Sequence, residues 1–369
     1  MKKVLITSNI PAPYRTALFA YLQSHSEYRY QVLYTGHTES DRAWQVAEAG
    51  LKDTYFLKSY VLRVKGGDVG GTATRFIHIP YGLDAMLSRL SPDVIIGGEY
   101  NLSAVRTLFW ARRHRIPYVN MTDGTLRSES YIGRVQKLTR RWIIGKADAY
   151  LASGTRAKEK LLAWGATAEK IAVAYLTVDT APFLSLERKP RQGEILYVGR
   201  ISREKGLDLL VRALAKMQTK ATLRVAGNDV DGQQAEIQKL AGDLGVADRI
   251  TWLGYRQGEA LLSEYARASV LAVPSRSDCF GLILVEAACA GLSTVASVYA
   301  DGACDVITPG ENGLLANPEQ PEEFARCLDV LLADHGEPEK LRKSLGEKFS
   351  FAAVAKGYDR AVWLAEGGK

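Results

Sequence analysis

Three observations predict an α/β fold of two Rossmann-like domains. Short β-branched runs alternate with segments of helical periodicity along nearly the whole chain, the pattern of βα units that build parallel sheets. The length, 369 residues, is about twice that of an ordinary domain. The alternation halts at a polar, proline-bearing stretch over 180–193 and then restarts, leaving two halves of similar size.

In the first half, Val4-Leu5-Ile6 predicts a strand over 3–7 that ends where Asn9, Pro11 and Pro13 begin a loop. A helix over 14–22 follows, with Leu18, Phe19 and Leu22 on one face. Further strands are predicted at 30–34, 93–97, 118–121 and 149–151, with helices over 102–113 and 134–144 between them. Residues 40–75 are polar and glycine-rich around Lys65-Gly66-Gly67-Asp68-Val69-Gly70-Gly71 and read as a mobile loop over a cleft. Pro182, Pro190 and the run Glu187-Arg188-Lys189 mark 180–193 as an interdomain linker. The second half offers strands at 194–198, 221–226, 250–253, 270–273 and 293–296. Helices are predicted over 206–217, 233–244, 259–266 and 281–290, and from Pro321 onward. The expected domains are therefore 1–182 and 183–349, with 350–369 a C-terminal helix that packs back on the first domain. Ligands of such sheets bind at the carboxyl ends of strands, so the cleft between the halves is the expected site.

Composition narrows the function. Hydrophobic residues make up 47% and charged residues 24%, which excludes disordered and fibrous classes. The net charge of +7 is unevenly spread: residues 1–183 carry +10 and residues 184–369 carry −3. A basic front half suits an anionic partner, whether nucleic acid, a membrane surface or an acidic substrate. No run approaches the ~20 apolar residues of a membrane span, and no apolar leader opens the chain, so a cytoplasmic placement is expected. Cys279, Cys289, Cys304 and Cys327 form no CxxC pair and read as buried reduced thiols. His25, His37, His78, His114 and His335 have no partner at ligand spacing, and no DxD motif follows a strand, so no metal is expected. GxSxG and Walker patterns are absent, and the first strand leads to Asn9-Ile10-Pro11 and not to GxGxxG. These features argue against α/β-hydrolases, P-loop enzymes and dehydrogenases.

Two segments carry chemistry. In Tyr197-Val198-Gly199-Arg200-Ile201-Ser202-Arg203-Glu204-Lys205-Gly206 an apolar strand runs into a basic loop and then a helix. Arg200 and Lys205 at the strand's carboxyl end, beside a helix N-terminus, suit a diphosphate; the alternative is a solvated basic loop. In Asp278-Cys279-Phe280-Gly281-Leu282-Ile283-Leu284-Val285-Glu286, two carboxylates flank a glycine that opens a helix. Glu286 lies in an otherwise apolar helix and needs a hydrogen-bond partner from protein or ligand. Asp278 reads as a helix cap or as a ligand of sugar hydroxyls.

The order GR-x4-KG, Ala226-Gly227-Asn228, Leu253-Gly254-Tyr255, Pro274-Ser275 and D-x7-E resembles the family 4 glycosyltransferases of the GT-B fold, most firmly over 194–320. The resemblance implies that Gly199, Arg200 and Lys205 meet the donor diphosphate and that Glu286 meets the nucleotide ribose. It implies that Asp278, Cys279, Phe280, Gly281, Leu282 and Ile283 hold the donor sugar and phosphate. Gly254, Tyr255 and Arg256 would lie near the base, and Gly227 and Asn228 would also belong to the donor site. The implied activity is a metal- and cofactor-independent, retaining hexosyl transfer from a nucleotide-diphosphate sugar, UDP before GDP. The implied acceptor is a glycan, a lipid-linked acceptor or a secondary metabolite.

The family more often has Glu where this chain has Asp278, and its Gly-Gly loop after the first strand is replaced by Ile10-Pro11-Ala12-Pro13-Tyr14-Arg15. That pattern is similar to a bacterial subgroup acting on polysaccharide or secondary-metabolite glycans. Acceptor-side candidates are Tyr14, Arg15, Glu99, Asn101, Asp123 and Arg127. Asp123, near where many members have His, reads as a group that binds a sugar hydroxyl or steadies charge at the anomeric carbon, or as an ordinary Asp-Gly turn. A GT-B epimerase or hydrolase, or a non-enzymatic anion binder, is the alternative function. Arg134, Lys137, Arg140, Arg141 and Lys146 punctuate Tyr131-Ile132 and Trp142-Ile143-Ile144, a mixture that suits an anionic membrane or a solvated basic face.

Overall fold

The computed structural model describes residues 1–36, 52–65, 74–230, 232–334 and 336–368. Two compact units result, one of Met1–Asp179 with Ser350–Lys369 and one of Thr180–Phe349.

The first unit runs β1 (Lys3–Ser8), α1 (Pro13–His25), β2 (Arg29–Tyr34), β3 (Thr54–Phe56), β4 (Ser59–Lys65), β5 (Thr74–Pro80) and α2 (Leu83–Leu90). It continues through β6 (Val94–Gly98), α3 (Leu102–His114), β7 (Tyr118–Thr122), α4 (Arg134–Lys146), β8 (Ala149–Ala152), α5 (Thr155–Ala163) and β9 (Ile171–Val173). Seven strands form a parallel sheet in the order β3-β2-β1-β6-β7-β8-β9, while β4 and β5 pair separately as an antiparallel hairpin. Residues such as Val4, Ile6, Val94, Ile96 and Val119 are fully buried, as expected where helices cover both faces of a parallel sheet.

The second unit runs α6 (Ala181–Leu184), β10 (Glu194–Val198), α7 (Leu207–Lys216), β11 (Thr222–Ala226), α8 (Gln234–Asp243), β12 (Ile250–Gly254) and α9 (Glu259–Arg267). Then come β13 (Val270–Val273), α10 (Leu282–Ala290), β14 (Thr294–Ser297), α11 (Ala303–Val306), β15 (Gly313–Ala316), α12 (Pro321–Ala333) and α13 (Pro338–Lys348). Its sheet is parallel in the order β12-β11-β10-β13-β14-β15. The last helix, α14 (Phe351–Ala365), belongs to the first unit. Ser350 caps it by accepting the Ala353 N–H, and Val354, Tyr358, Ala361 and Val362 pack with Val4, Ile6 and Val119.

Three expectations need correction. The segment over 180–193 is not a free linker: it starts with α6, whose Phe183 packs edge-on against Tyr265. The Arg342 guanidinium donates to the Phe183, Leu184 and Leu186 carbonyls, and Arg188 donates to those of Ala268 and Gly291. Of the expected loop over 40–75, the described part is largely ordered as β3 and β4; residues 40–51 and 66–73 lie outside the described residues, as do His37 and His335. All four cysteines are free, but only Cys289 is buried, and Cys304 is exposed.

Sheet order positions the site. In the first unit consecutive connections run outward from β1 in one direction and from β6 in the other; in the second unit β10 and β13 play these parts. At such a reversal the loops leave their strands on opposite faces and open a crevice at the carboxyl ends. Three strand ends of the second unit are laced by backbone there, with Gly199 N–H donating to Ala226 and Gly227 N–H donating to Gly254. A Cβ on Gly227 would lie 1.8 Å from the Gly199 carbonyl oxygen. Gly227→Ala should therefore cost about 1–3 kcal/mol or more by overpacking, read as a lowered Tm. Gly242→Ala, in α8 with no atom within 4 Å of the new Cβ, should raise Tm through helix propensity.

Candidate active site

The loop after β10 and the loop after β13 meet across the reversal in the second unit. Lys205 Nζ lies 2.6 Å from Asp278 Oδ2, with side chains 22% and 12% exposed. Burial presses the Lys205 ammonium down, and the Asp278 charge and hydrogen bond outweigh it, so its pKa is raised and it stays a cation. Asp278 Oδ1 accepts the Phe280 N–H at 3.2 Å, and Gly281, at φ +83°, opens α10. The first N–H groups of α10, at Leu282 and Ile283, have no acceptor within the helix and form a pole for negative charge. A cation, a carboxylate and a helix N-terminus thus meet at one strand end.

Arg200 stands on the same loop, 3.3 Å from Glu204 and about one-third exposed. Its carbonyl accepts the hydroxyl of buried Tyr197 at 2.7 Å, fixing the turn after Gly199. Glu286, in the second turn of α10, accepts the Tyr265 hydroxyl at 2.6 Å. Burial raises the Glu286 pKa and the Tyr265 bond offsets this only in part. At β11 and β12 the Asn228 carbonyl accepts the Ile201 N–H, Gly254 takes φ +68°, Tyr255 is 46% exposed and Arg256 is exposed. The structure brings together Arg200, Lys205, Asp278 and the α10 turn, with Asn228 beside Ile201.

Sequence reasoning did not single out the groups that hold this loop. Arg276 forms two 2.7 Å bonds to Asp208 and a third, at 2.8 Å, to the Arg203 carbonyl. Its own N–H donates to Glu204 O, so the turn bearing Lys205 is tied to the β13 loop. The local signal was an arginine two residues before Asp278. Tyr265 gave none, because α9 brings it to Glu286 from outside both motifs.

In the first unit the reversal lies between β1 and β6, and Asn101 Nδ2 bonds Asn9 Oδ1 at 2.8 Å across it. Asn101 also caps α3 by accepting the Ala104 N–H, so both ends of its amide are engaged. Arg15 is buried and holds Asp123 through two bonds of 2.7 and 2.5 Å, with further contacts to Tyr358 of α14 and Met121. Tyr14 lies beside it, its ring 5.7 Å from the guanidinium. Glu99, at φ +59°, accepts the Asp123 N–H at 2.7 Å and the Thr122 hydroxyl at 3.2 Å. Burial and the neighbouring Asp123 charge raise the Glu99 pKa. Behind it lies fully buried Lys160, 2.7 Å from Thr122 and 3.5 Å from Glu129, its pKa lowered by burial. Asp123 is thus an ion-paired group in a fixed network and not a bare turn. Arg127 follows in the same loop and has polar contacts of its own.

Comparison with known proteins matches both units. A model described as "Glycosyl transferases group 1" matches residues 183–348, and one described as "Glycosyl transferase 4-like domain" matches residues 12–177. A D-inositol 3-phosphate glycosyltransferase of Rhodococcus jostii is 26% identical over 307 residues, 76% of this chain and 64% of that protein. An uncharacterized glycosyltransferase of Methanocaldococcus jannaschii is 32% identical over 168 residues, 44% of this chain and 42% of the relative. The matches thus span about two-fifths to two-thirds of these relatives' lengths. Among solved structures, HepE of Anabaena, in complex with UDP and glucose, superposes with a TM-score of 0.74 at 16% identity, covering 98% of this chain and 99% of that one. The lipopolysaccharide outer core galactosyltransferase WaaB does so with 0.75 at 19%, covering 98% and 99%. At such identities the likeness shows the fold, which is GT-B.

Two outcomes test this geometry. The Glu286 pKa is higher folded than unfolded, so its carboxyl favours the fold most below the ordinary range, and that contribution is lost as pH rises through the raised value. Glu286→Gln should therefore match wild-type Tm at about pH 4 and exceed it by a few degrees at about pH 8. Asp123→Ala leaves the buried Arg15 cation without its counter-ion and should cost about 3–5 kcal/mol in denaturant melts. The double variant Arg15→Met/Asp123→Leu should recover most of that loss.

Proposed function

Because the chain belongs to the family 4 glycosyltransferases, we propose that it moves a hexosyl group from a nucleotide diphosphate to a glycan, lipid-linked or secondary-metabolite acceptor with retention at the anomeric carbon. A UDP-sugar is the favoured donor and a GDP-sugar the second. The observation that carries the reading is the Lys205–Asp278 pair at the N-terminus of α10, 2.6 Å across. A diphosphate entering there meets Lys205, Arg200 and the open N–H groups of Leu282 and Ile283. Asp278 then turns to the sugar hydroxyls, which replace the ammonium as hydrogen-bond donors. Glu286, held by Tyr265, accepts from the ribose hydroxyls. Anabaena HepE has been solved with UDP and with UDP-glucose, which favours uracil as the base.

In this mechanism the acceptor hydroxyl attacks the anomeric carbon from the face the diphosphate leaves. The new C–O bond forms as the sugar–phosphate bond breaks through an oxocarbenium-like centre. The hydroxyl proton passes to a departing phosphate oxygen, so no protein base is required. Lys205 and Arg200 stabilise the growing diphosphate charge without a metal. On the acceptor side, the pairing of Asp123 with Arg15 favours hydrogen bonding to a sugar hydroxyl over bare charge stabilisation. Tyr14, Glu99 and Arg127 complete that side, while Asn101 holds the loops. The acceptor is met at the cytoplasmic face of a membrane by the basic first unit. The named relatives that act on D-inositol 3-phosphate agree with an anionic acceptor.

The test is turnover of a panel of sugar nucleotides in the presence of a chelator, with the product anomer read by NMR. Wild type should bind UDP and form product of the donor's configuration, unaffected by the chelator. Arg200→Ala and Lys205→Ala should each reduce turnover by several orders of magnitude; Arg200→Ala should leave Tm unchanged, whereas Lys205→Ala should also lower it, because Asp278 is left mostly buried without its counter-ion. Wild-type turnover by the folded double variant would refute the assignment, and release of a changed sugar nucleotide without acceptor would favour an epimerase.

A further inference from the structure

Helices α3 and α4 carry eight Lys or Arg residues and no Asp or Glu over 26 positions. Three are ion-paired, Arg106 with Asp84, Arg112 with Asp148, and Arg140 with Glu129, and Arg141 lies over the Trp164 ring. Arg113, Arg134, Lys137, Arg141 and Lys146 are exposed and make no ion pair among the described residues. Ile132, Ile143 and Ile144, which the sequence suggested as the apolar part of this region, are buried in the unit. Other side chains face solvent instead: Val135 is 77% exposed, Leu138 66%, Trp142 38% and, on α3, Phe109 65%.

The spacing is regular. Val135, Leu138 and Trp142 fall three and four residues apart, on one side of α4. Each is preceded by a cation, Arg134, Lys137 and Arg141, so an apolar row runs beside a basic row. Leu138 and Trp142 also line an open groove of about 940 Å³ with Val105, Phe109, Trp110 and Arg113. Large apolar side chains gathered in one patch with single-sign charge mark an interaction surface, whereas scattered ones do not.

We infer that the α3–α4 face docks on an anionic lipid bilayer, with Phe109, Val135, Leu138 and Trp142 entering the acyl boundary and the five cations meeting headgroup phosphates. The inference deepens the reading in which the acceptor is lipid-linked and rests on it for the enzyme's reason to be at a membrane. Charge complementarity selects the occupant. A second copy presenting the same face would set like-charged rows against each other. A nucleic acid would leave aliphatic Val135 and Leu138 without partners. A bilayer satisfies both rows at once, as for interfacial amphipathic helices.

The experiment is cosedimentation with vesicles of phosphatidylcholine alone or with added phosphatidylglycerol, over a range of salt. Wild type should pellet with the anionic vesicles and be released by salt. Arg113→Gln/Arg134→Gln/Lys137→Gln should weaken that binding on the order of 100-fold, from about fivefold per cation. Phe109→Ser/Leu138→Ser should weaken it at least tenfold even at low salt. Circular dichroism melts and UDP binding should be unchanged in both. Equal pelleting with neutral vesicles, or wild-type binding by the charge variant, would overturn the proposal. So would a wild-type dimer that Phe109→Ser/Leu138→Ser dissolves. UDP calorimetry on the same samples separates the two readings: vesicle binding without UDP binding defeats the donor assignment alone, and UDP binding without vesicle binding defeats the surface alone.

Discussion

The Lys205–Asp278 ion pair is the constraint on which the second unit's chemistry depends. Its two partners are 73 residues apart and come from strands adjacent in the sheet, so only the β10/β13 reversal brings them together. Each charge is mostly buried and would be costly alone; together they stay ionised and place a cation and a carboxylate at one helix N-terminus. Everything around them serves that placement. Gly199 and Gly227 let backbones touch, Tyr197 fixes the Arg200 turn, and Arg276 ties the basic loop to the strand that carries Asp278. The diphosphate of the proposed donor would enter a cage already assembled, which lowers the cost of ordering it.

The first unit answers the same topological position with different chemistry. At its β1/β6 reversal two neutral amides, Asn9 and Asn101, bond each other beside Glu99 at the end of β6, and Glu99 reaches Asp123, the partner of Arg15, at the end of β7. Neutral amides can exchange partners with sugar hydroxyls at little electrostatic cost, whereas Arg15 and Asp123 are tied into Tyr358, Glu99 and Lys160. Two halves with the same sheet logic thus offer one strand end where a cation and a carboxylate meet a helix N-terminus, and one where Arg15, Asp123, Glu99 and Lys160 are locked into a network beside two amides. That division suits a donor with a diphosphate and an acceptor that reacts through a hydroxyl.

Much of this was legible before any coordinate. The βα rhythm specified parallel sheets, and parallel sheets specify where loops converge, so Arg200, Lys205, Asp278 and Glu286 could be read as neighbours in function. Short or half-buried elements were not legible: β9 has three residues and α11 four, too few for a period to emerge. The stretch over 180–193 looked like a linker because its composition is polar, yet Arg188 and Arg342 satisfy its carbonyls and dock it. Asp123 appeared to be a choice between turn and ligand because its partner, Arg15, lies 108 positions away. The same limit hid Tyr265 and Arg276, whose importance depends on what the fold sets against them.

The course of α14 has a consequence for how the chain is made. Its apolar face covers strands near the amino terminus, with Val354 and Val362 in one cluster with Val4 and Val119. A ribosome delivers those strands first, then all of Thr180–Phe349, and only afterwards the helix that shields them. During that interval the second unit can close on its own, while the first exposes one side of its sheet. The unit synthesised first is thus the last to be completed, and a nascent chain that stalls before residue 351 carries an apolar surface for chaperones to recognise.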